Sequence, residues 1–158
     1  EEAFLCGLGL GLFWGEGNKK NRNTVRLGNT DPGLIKTFLD FLIKIFGINK
    51  NKLLFGLQIF SDINPKKALK FWIDELAQFD ISKSQFFRPT ITKSGSIGNY
   101  REKSKYGVLT IHFGNTKLKK ILDNILADVA QRQSNSMVNS FAHSNRNIRM
   151  NPELRLKT

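Results

Sequence analysis

The chain has 158 residues, with 25 Lys and Arg against 13 Asp and Glu, a formal net charge of +12 and 40% hydrophobic residues. That length supports one domain, or one domain with a tail, with a substantial core. The charge points to a polyanion such as nucleic acid, an acidic membrane surface being the weaker alternative, and one cysteine and two histidines argue against a disulfide framework or a zinc site.

The first element is an apolar helix over residues 3–14 (AFLCGLGLGLFW), which runs into Gly15, Glu16, Gly17, Asn18, Lys19 and Lys20. It is too short for a membrane span, which needs about 20 apolar residues. Glu1 and Glu2 stand where a secretory signal carries its basic region. The expectation is therefore an intracellular protein, cytoplasmic, nucleoid-associated or organellar, with no membrane and no further protein partner. A dinucleotide fingerprint fails because the third position after Gly9 is Leu12, and no phosphate-loop pattern occurs. Gly7, Gly11 and Gly15 form one i, i+4, i+8 row, which lets another backbone approach closely. Each glycine costs a helix roughly 1 kcal/mol relative to alanine, so packing has to offset them. Glu16, at the tip and beside basic residues, suggests a metal held next to an anionic ligand.

A strand follows over residues 23–29. Asp31-Pro32 then caps a helix that Gly47 ends, with Leu34, Ile35, Phe38, Leu39, Leu42, Ile45 and Phe46 at helical spacing. Residues 52–61 read as the second strand. Asn64-Pro65 repeats the cap and opens a helix over 64–77 with Ala68, Leu69, Trp72, Ile73 and Leu76 on its apolar side. Two more strands, 85–93 and 106–114, flank a Gly-, Ser- and Lys/Arg-rich loop at 94–105. An amphipathic helix over 116–132 closes the fold with Leu118, Ile121, Leu122, Ile125, Leu126 and Val129. The order α-β-α-β-α-β-β-α makes an α+β domain over residues 1–132. The tail, 133–158, is Asn-, Ser- and Arg-rich without apolar periodicity, and disorder or loose docking is expected of it.

Strand alternation sorts two faces. Val25, Leu27, Leu53, Phe55, Leu57, Ile59, Phe87, Ile91, Leu109, Ile111 and Phe113 share the apolar one. Arg26, Gln58, Arg88, Thr90, Thr92, Thr110 and His112 share the other, which has no Asp or Glu. Arg, Gln and Thr are residues that read base edges in a DNA groove. Lys19, Lys20, Arg22, Lys93, Arg101, Lys103 and Lys105 extend that surface as phosphate contacts, giving affinity and register. Lys117, Lys119 and Lys120, like Lys66, Lys67 and Lys70, read as solvated outer faces of helices.

Gly9-Leu10-Gly11-Leu12-Phe13-Trp14-Gly15-Glu16-Gly17 resembles a LAGLIDADG motif, the signature of the LAGLIDADG homing endonucleases and the related WhiA-type regulators. The resemblance extends in pattern through Leu126. It implies a motif helix above a four-stranded antiparallel saddle sheet that straddles double-stranded DNA, with helices on one face. A single motif implies a homodimer joined through Gly7, Leu8, Gly11 and Gly15. It also implies that Glu16, helped by the Gly15 carbonyl, holds Mg²⁺ (or Mn²⁺) at the scissile phosphate. Lys103 and Lys105 would then stabilise transition-state charge, and His112 and Gln58 would position water. The chain departs from the motif in carrying Trp14 in place of the earlier acid and Glu in place of the final Asp. Only 13 residues (18–30) precede the next helix cap, and a helix over 64–77 separates the strands.

The function this implies is sequence-specific, metal-dependent DNA cleavage. The alternative is a catalytically inert, regulatory DNA-binding module on the same scaffold. An RNA-binding domain is the third reading, disfavoured because the alternation leaves no exposed aromatic pair on the polar face.

Overall fold

The computed structural model describes residues 1–93 and 105–150, with side chains as far as residue 133. The chain divides into two compact units, Glu1–Lys120 and Ile121–Thr158. The first contains α1 (Glu2–Glu16), β1 (Thr24–Asn29), α2 (Pro32–Asp40), β2 (Leu54–Phe60), α3 (Pro65–Glu75), β3 (Thr90–Thr92) and β4 (Val108–Gly114). A final helix, α4 (Thr116–Met150), starts in the first unit and continues into the second as far as Met150.

Both proline-led helices start as their caps dictate. Asp31 accepts from the Gly33 and Leu34 amides at 2.7 and 3.4 Å, and Asn64 from the Lys66 and Lys67 amides at 2.9 and 3.2 Å. α2 widens into a π-helical turn, Phe41–Ile45, and Gly47 follows at φ +59°, a backbone position natural to glycine.

The strands form one sheet in the order β1-β4-β2-β3. β1 and β2 both run antiparallel to β4, whereas β2 and β3 run parallel. The sheet is thus mixed, which corrects the expectation of an antiparallel one. The cause is α3: a helical crossover between two neighbouring strands returns the chain to the same end of the sheet, so they pair in parallel. β3 is also much shorter than the expected 85–93. Pro89 has no amide to donate, and Lys83–Gln85 is a 3₁₀ turn held by a capping box on Ser82.

The apolar strand face is the core. Val25, Leu27, Leu53, Phe55, Leu57, Ile59, Leu109, Ile111 and Phe113 are buried there, with Ile35, Phe38, Leu39, Phe41, Leu42 and Trp72 from the helical layer. α1 and α2 pack on β1 and α3 on β2. Phe13 of α1 stacks on Phe38 at 6.2 Å, and the Trp72 indole donates to the Tyr106 carbonyl at 3.0 Å, pinning α3 to the entry of β4.

Three further expectations are corrected. Phe87 and Ile91 are exposed rather than core, because the strand that was to bury them stops at Pro89 on one side and is the sheet edge on the other. Lys119 is fully buried, its ammonium 5.6 Å from the centre of the Phe13 ring, rather than on an outer face; a lysine stem packs like an apolar chain and its charge meets the aromatic face. α4 does not end near 132: its backbone is helical through Met150. After Thr116 the next Gly or Pro in the chain is Pro152, so nothing in the backbone chemistry interrupts the helix earlier. In its second-unit part, Leu122 and Leu126 are buried while Ile121 and Val129 are exposed.

Candidate nucleic-acid interface

The second face of the sheet is built in rows across the strands. Arg26, His112 and Leu54 form one, Gly28, Thr110 and Gly56 the next. Val108, Gln58 and Thr90 form a third, with Thr92 beyond Thr90 on β3. These residues are half-buried or exposed, and none is an acid. Gln58 donates to the Thr92 hydroxyl at 3.2 Å. Arg88 is exposed and precedes the paired part of β3.

Ion pairs accumulate elsewhere. Lys36–Glu75, Lys44–Asp40, Lys50–Asp80 and Lys70–Asp74 sit on the helices and their turns, at 2.6 to 3.2 Å.

The basic loop after α1 is shaped by two consecutive Asx turns. Asn18 accepts from the Lys20 and Asn21 amides, and Asn21 accepts from the Asn23 and Thr24 amides, at 2.9 to 3.1 Å. Lys19, Lys20 and Arg22 are exposed on this loop. The loop is tied to the sheet by a bridge between Gly17 and Leu27 and by the Asn18 amide donating to the Arg26 carbonyl at 2.9 Å. Glu16, exposed at the end of α1, is therefore held beside the β1 edge. Helix C-termini favour cations, and Lys19 already uses this by donating its ammonium to the Trp14 carbonyl.

His112 lies next to Arg26, and its ring leans over Gly56: a Cβ there would stand 3.0 Å from Nε2. Burial, then the Arg26 charge, pushes its pKa below the ordinary value of 6.5, so the imidazole is neutral at pH 7. The folded state thus binds this proton less readily than the unfolded state, and stability falls as pH drops through the unfolded value toward the folded one. We expect the urea midpoint to decline between pH 7 and pH 5 more steeply in the wild type than in His112→Gln, as measured by parallel denaturation series.

The expected catalytic residues are only partly brought together. His112 stands one strand in from β1, whereas Gln58 lies two strands in, about 10 Å from β1 at the usual strand spacing. Lys105 lies at the turn into β4, its ammonium 5.6 Å from the Tyr106 ring centre. Lys93 is exposed beyond β3. Arg101 and Lys103 lie outside the described residues, as do residues 151–158. Among the described residues no three His, Cys, Asp or Glu gather as a metal-binding group, and no helix is long and apolar enough to cross a membrane.

α1 carries two kinds of glycine. Gly9 meets the π-helical turn so closely that a Cβ would stand 2.1 Å from the Phe41 ring. At Gly7, Gly11 and Gly15 a Cβ would meet nothing within 4 Å. Phe4 and Leu8 lie beside that open row, 75% and 41% exposed.

Sequence alternation missed Phe87, Leu54 and the two strand glycines. Pro89 inside a strand pattern and Gly28 and Gly56 inside two others were the available signals, since proline confines a strand to an edge and glycine marks close approach. No family model, curated protein or solved structure matches the chain.

Proposed function

We propose that the chain is a LAGLIDADG-type endonuclease of homing type, a homodimer that binds double-stranded DNA on its polar sheet face and hydrolyses a phosphodiester with Mg²⁺. The supporting observation is the outer face of α1, where the row Gly7, Gly11 and Gly15 lies open beside exposed Phe4 and Leu8, with Glu16 at its tip. A second copy on this face would approach to backbone distance. A two-fold, isologous contact would bring both Glu16 carboxylates near the axis and favour a partly palindromic target.

In this reading Lys19, Lys20 and Arg22 neutralise phosphates, while Arg26, Arg88, Thr90, Thr92 and Thr110 face the groove. Lys93 and Arg101 extend the backbone contacts. Each copy would supply Glu16 and the Gly15 carbonyl as metal ligands. That small oxygen set suits Mg²⁺, which keeps waters and takes substrate phosphate oxygens. Bound there, the metal would polarise the phosphate and activate a water. His112, neutral at pH 7, is fit to orient water. Gln58 would join it from β2, and Lys103 and Lys105 would offset developing charge.

The dimer is tested by sedimentation of the wild type and Gly11→Leu. The wild type is expected to sediment as a dimer on DNA, and the variant, still folded by circular dichroism, as a monomer that does not cut. A wild type monomeric both free and on DNA would overturn the homodimer. DNA binding by the intact dimer without cleavage would favour the inert regulatory module, the reading with which Trp14, in place of the motif's earlier acid, agrees.

A further inference from the structure

The polar sheet face carries an exposed aromatic side chain, Phe87, to which duplex binding assigns no role. Phe86 turns inward and stacks on Phe55 at 5.1 Å. Phe87 therefore turns outward, 47% exposed, its ring 5.4 Å from His112 at 84°. Leu54, 40% exposed, flanks His112 in the β2–β4 register. On the other side stands Arg26, whose Nε is buried without a hydrogen-bond partner among the described residues. Beside this row Thr110 has a glycine on each flank: the His112 ring leans over Gly56, and the Thr110 hydroxyl stands over Gly28.

An exposed aromatic wall, an uncharged imidazole and one arginine suit a flat ring tethered to an anion. A nucleotide has that chemistry. Bases inside a duplex have their faces covered by their neighbours, so an exposed aromatic selects a base that is unpaired, and such stacking tolerates any sequence. We propose that Phe87, His112 and Arg26 form a seat for one unpaired nucleotide, the base stacking on Phe87 and its phosphate held by Arg26. This rests on the reading of the sheet face as a nucleic-acid surface, and extends it from duplex to single-stranded or extruded bases.

The test is fluorescence anisotropy with labelled dT and rU oligomers of about 12 nucleotides, near the site size of such surfaces, and with a duplex. The wild type is expected to bind the single strands. Phe87→Ala and Phe87→Leu should weaken that binding about tenfold or more, Phe87→Tyr should restore it, and duplex affinity should change less than about twofold. Preference between dT and rU identifies the strand chemistry. Duplex binding without single-strand binding overturns the seat alone, as does Phe87→Leu binding like the wild type or equal loss on both ligands. Binding to neither ligand overturns the nucleic-acid reading of the face itself.

Discussion

Glu16→Gln is expected to abolish Mg²⁺-dependent DNA cleavage while leaving duplex affinity unchanged or slightly improved. Glutamine keeps the size of the side chain but removes the charge that a divalent cation needs. Metal stabilisation of a phosphoryl transition state is worth several kcal/mol, and about 1.4 kcal/mol is tenfold in rate. A loss of about a thousandfold or more should follow. Glu16 is exposed and its side chain supports no core contact, so the fold should be untouched. Removing a carboxylate from the neighbourhood of phosphates works, if anything, in favour of binding. The check is a plasmid-nicking assay beside a gel-shift titration. Cleavage by Glu16→Gln at the wild-type rate would move the catalytic centre elsewhere.

Gly9→Leu is expected to be the most damaging change in α1. A Cβ at Gly9 would stand 2.1 to 2.6 Å from three atoms of Phe41, and Phe41 is itself fully buried against Phe38 and Phe46. Overpacking of this kind costs about 1–3 kcal/mol or more. Gly11→Ala sits two residues away on open space and should stabilise the isolated chain by up to about 1 kcal/mol through helix propensity. Urea denaturation at low protein concentration checks both. Equal effects at the two sites would mean that α1 docks on α2 through a different face.

This contrast also marks the limit of what the sequence discloses. Gly7, Gly9, Gly11 and Gly15 are chemically identical, and periodicity alone identified the row of three without showing that Gly9 is the one pressed into the core. The caps at Asp31 and Asn64 were legible because an Asn or Asp before proline acts on amides two and three residues away, entirely within local sequence. Alternation was legible in β1, β2 and β4, whose neighbours are continuous. It failed in the third strand because Pro89 breaks the ladder, which turned Phe87 from core to surface and with it hid the aromatic part of the site. The parallel pairing of β2 and β3 depends on where a crossover returns, a property of the tertiary path. Lys119 illustrates the same limit: a lysine in an amphipathic pattern reads as solvated until an aromatic ring is found beneath it. Of the candidate site, the placement of Arg26, Thr110 and His112 on one polar face was legible from alternation, but the adjacency of Arg26 and His112 is a matter of strand order.

The most direct test of the account is selection from a randomised duplex library incubated with the wild-type protein in Mg²⁺, followed by sequencing of bound and cut molecules. The account predicts enrichment of one partly palindromic sequence with breaks placed symmetrically about its centre, as two copies joined through α1 would produce. Absence of any enriched duplex, bound or cut, would contradict it.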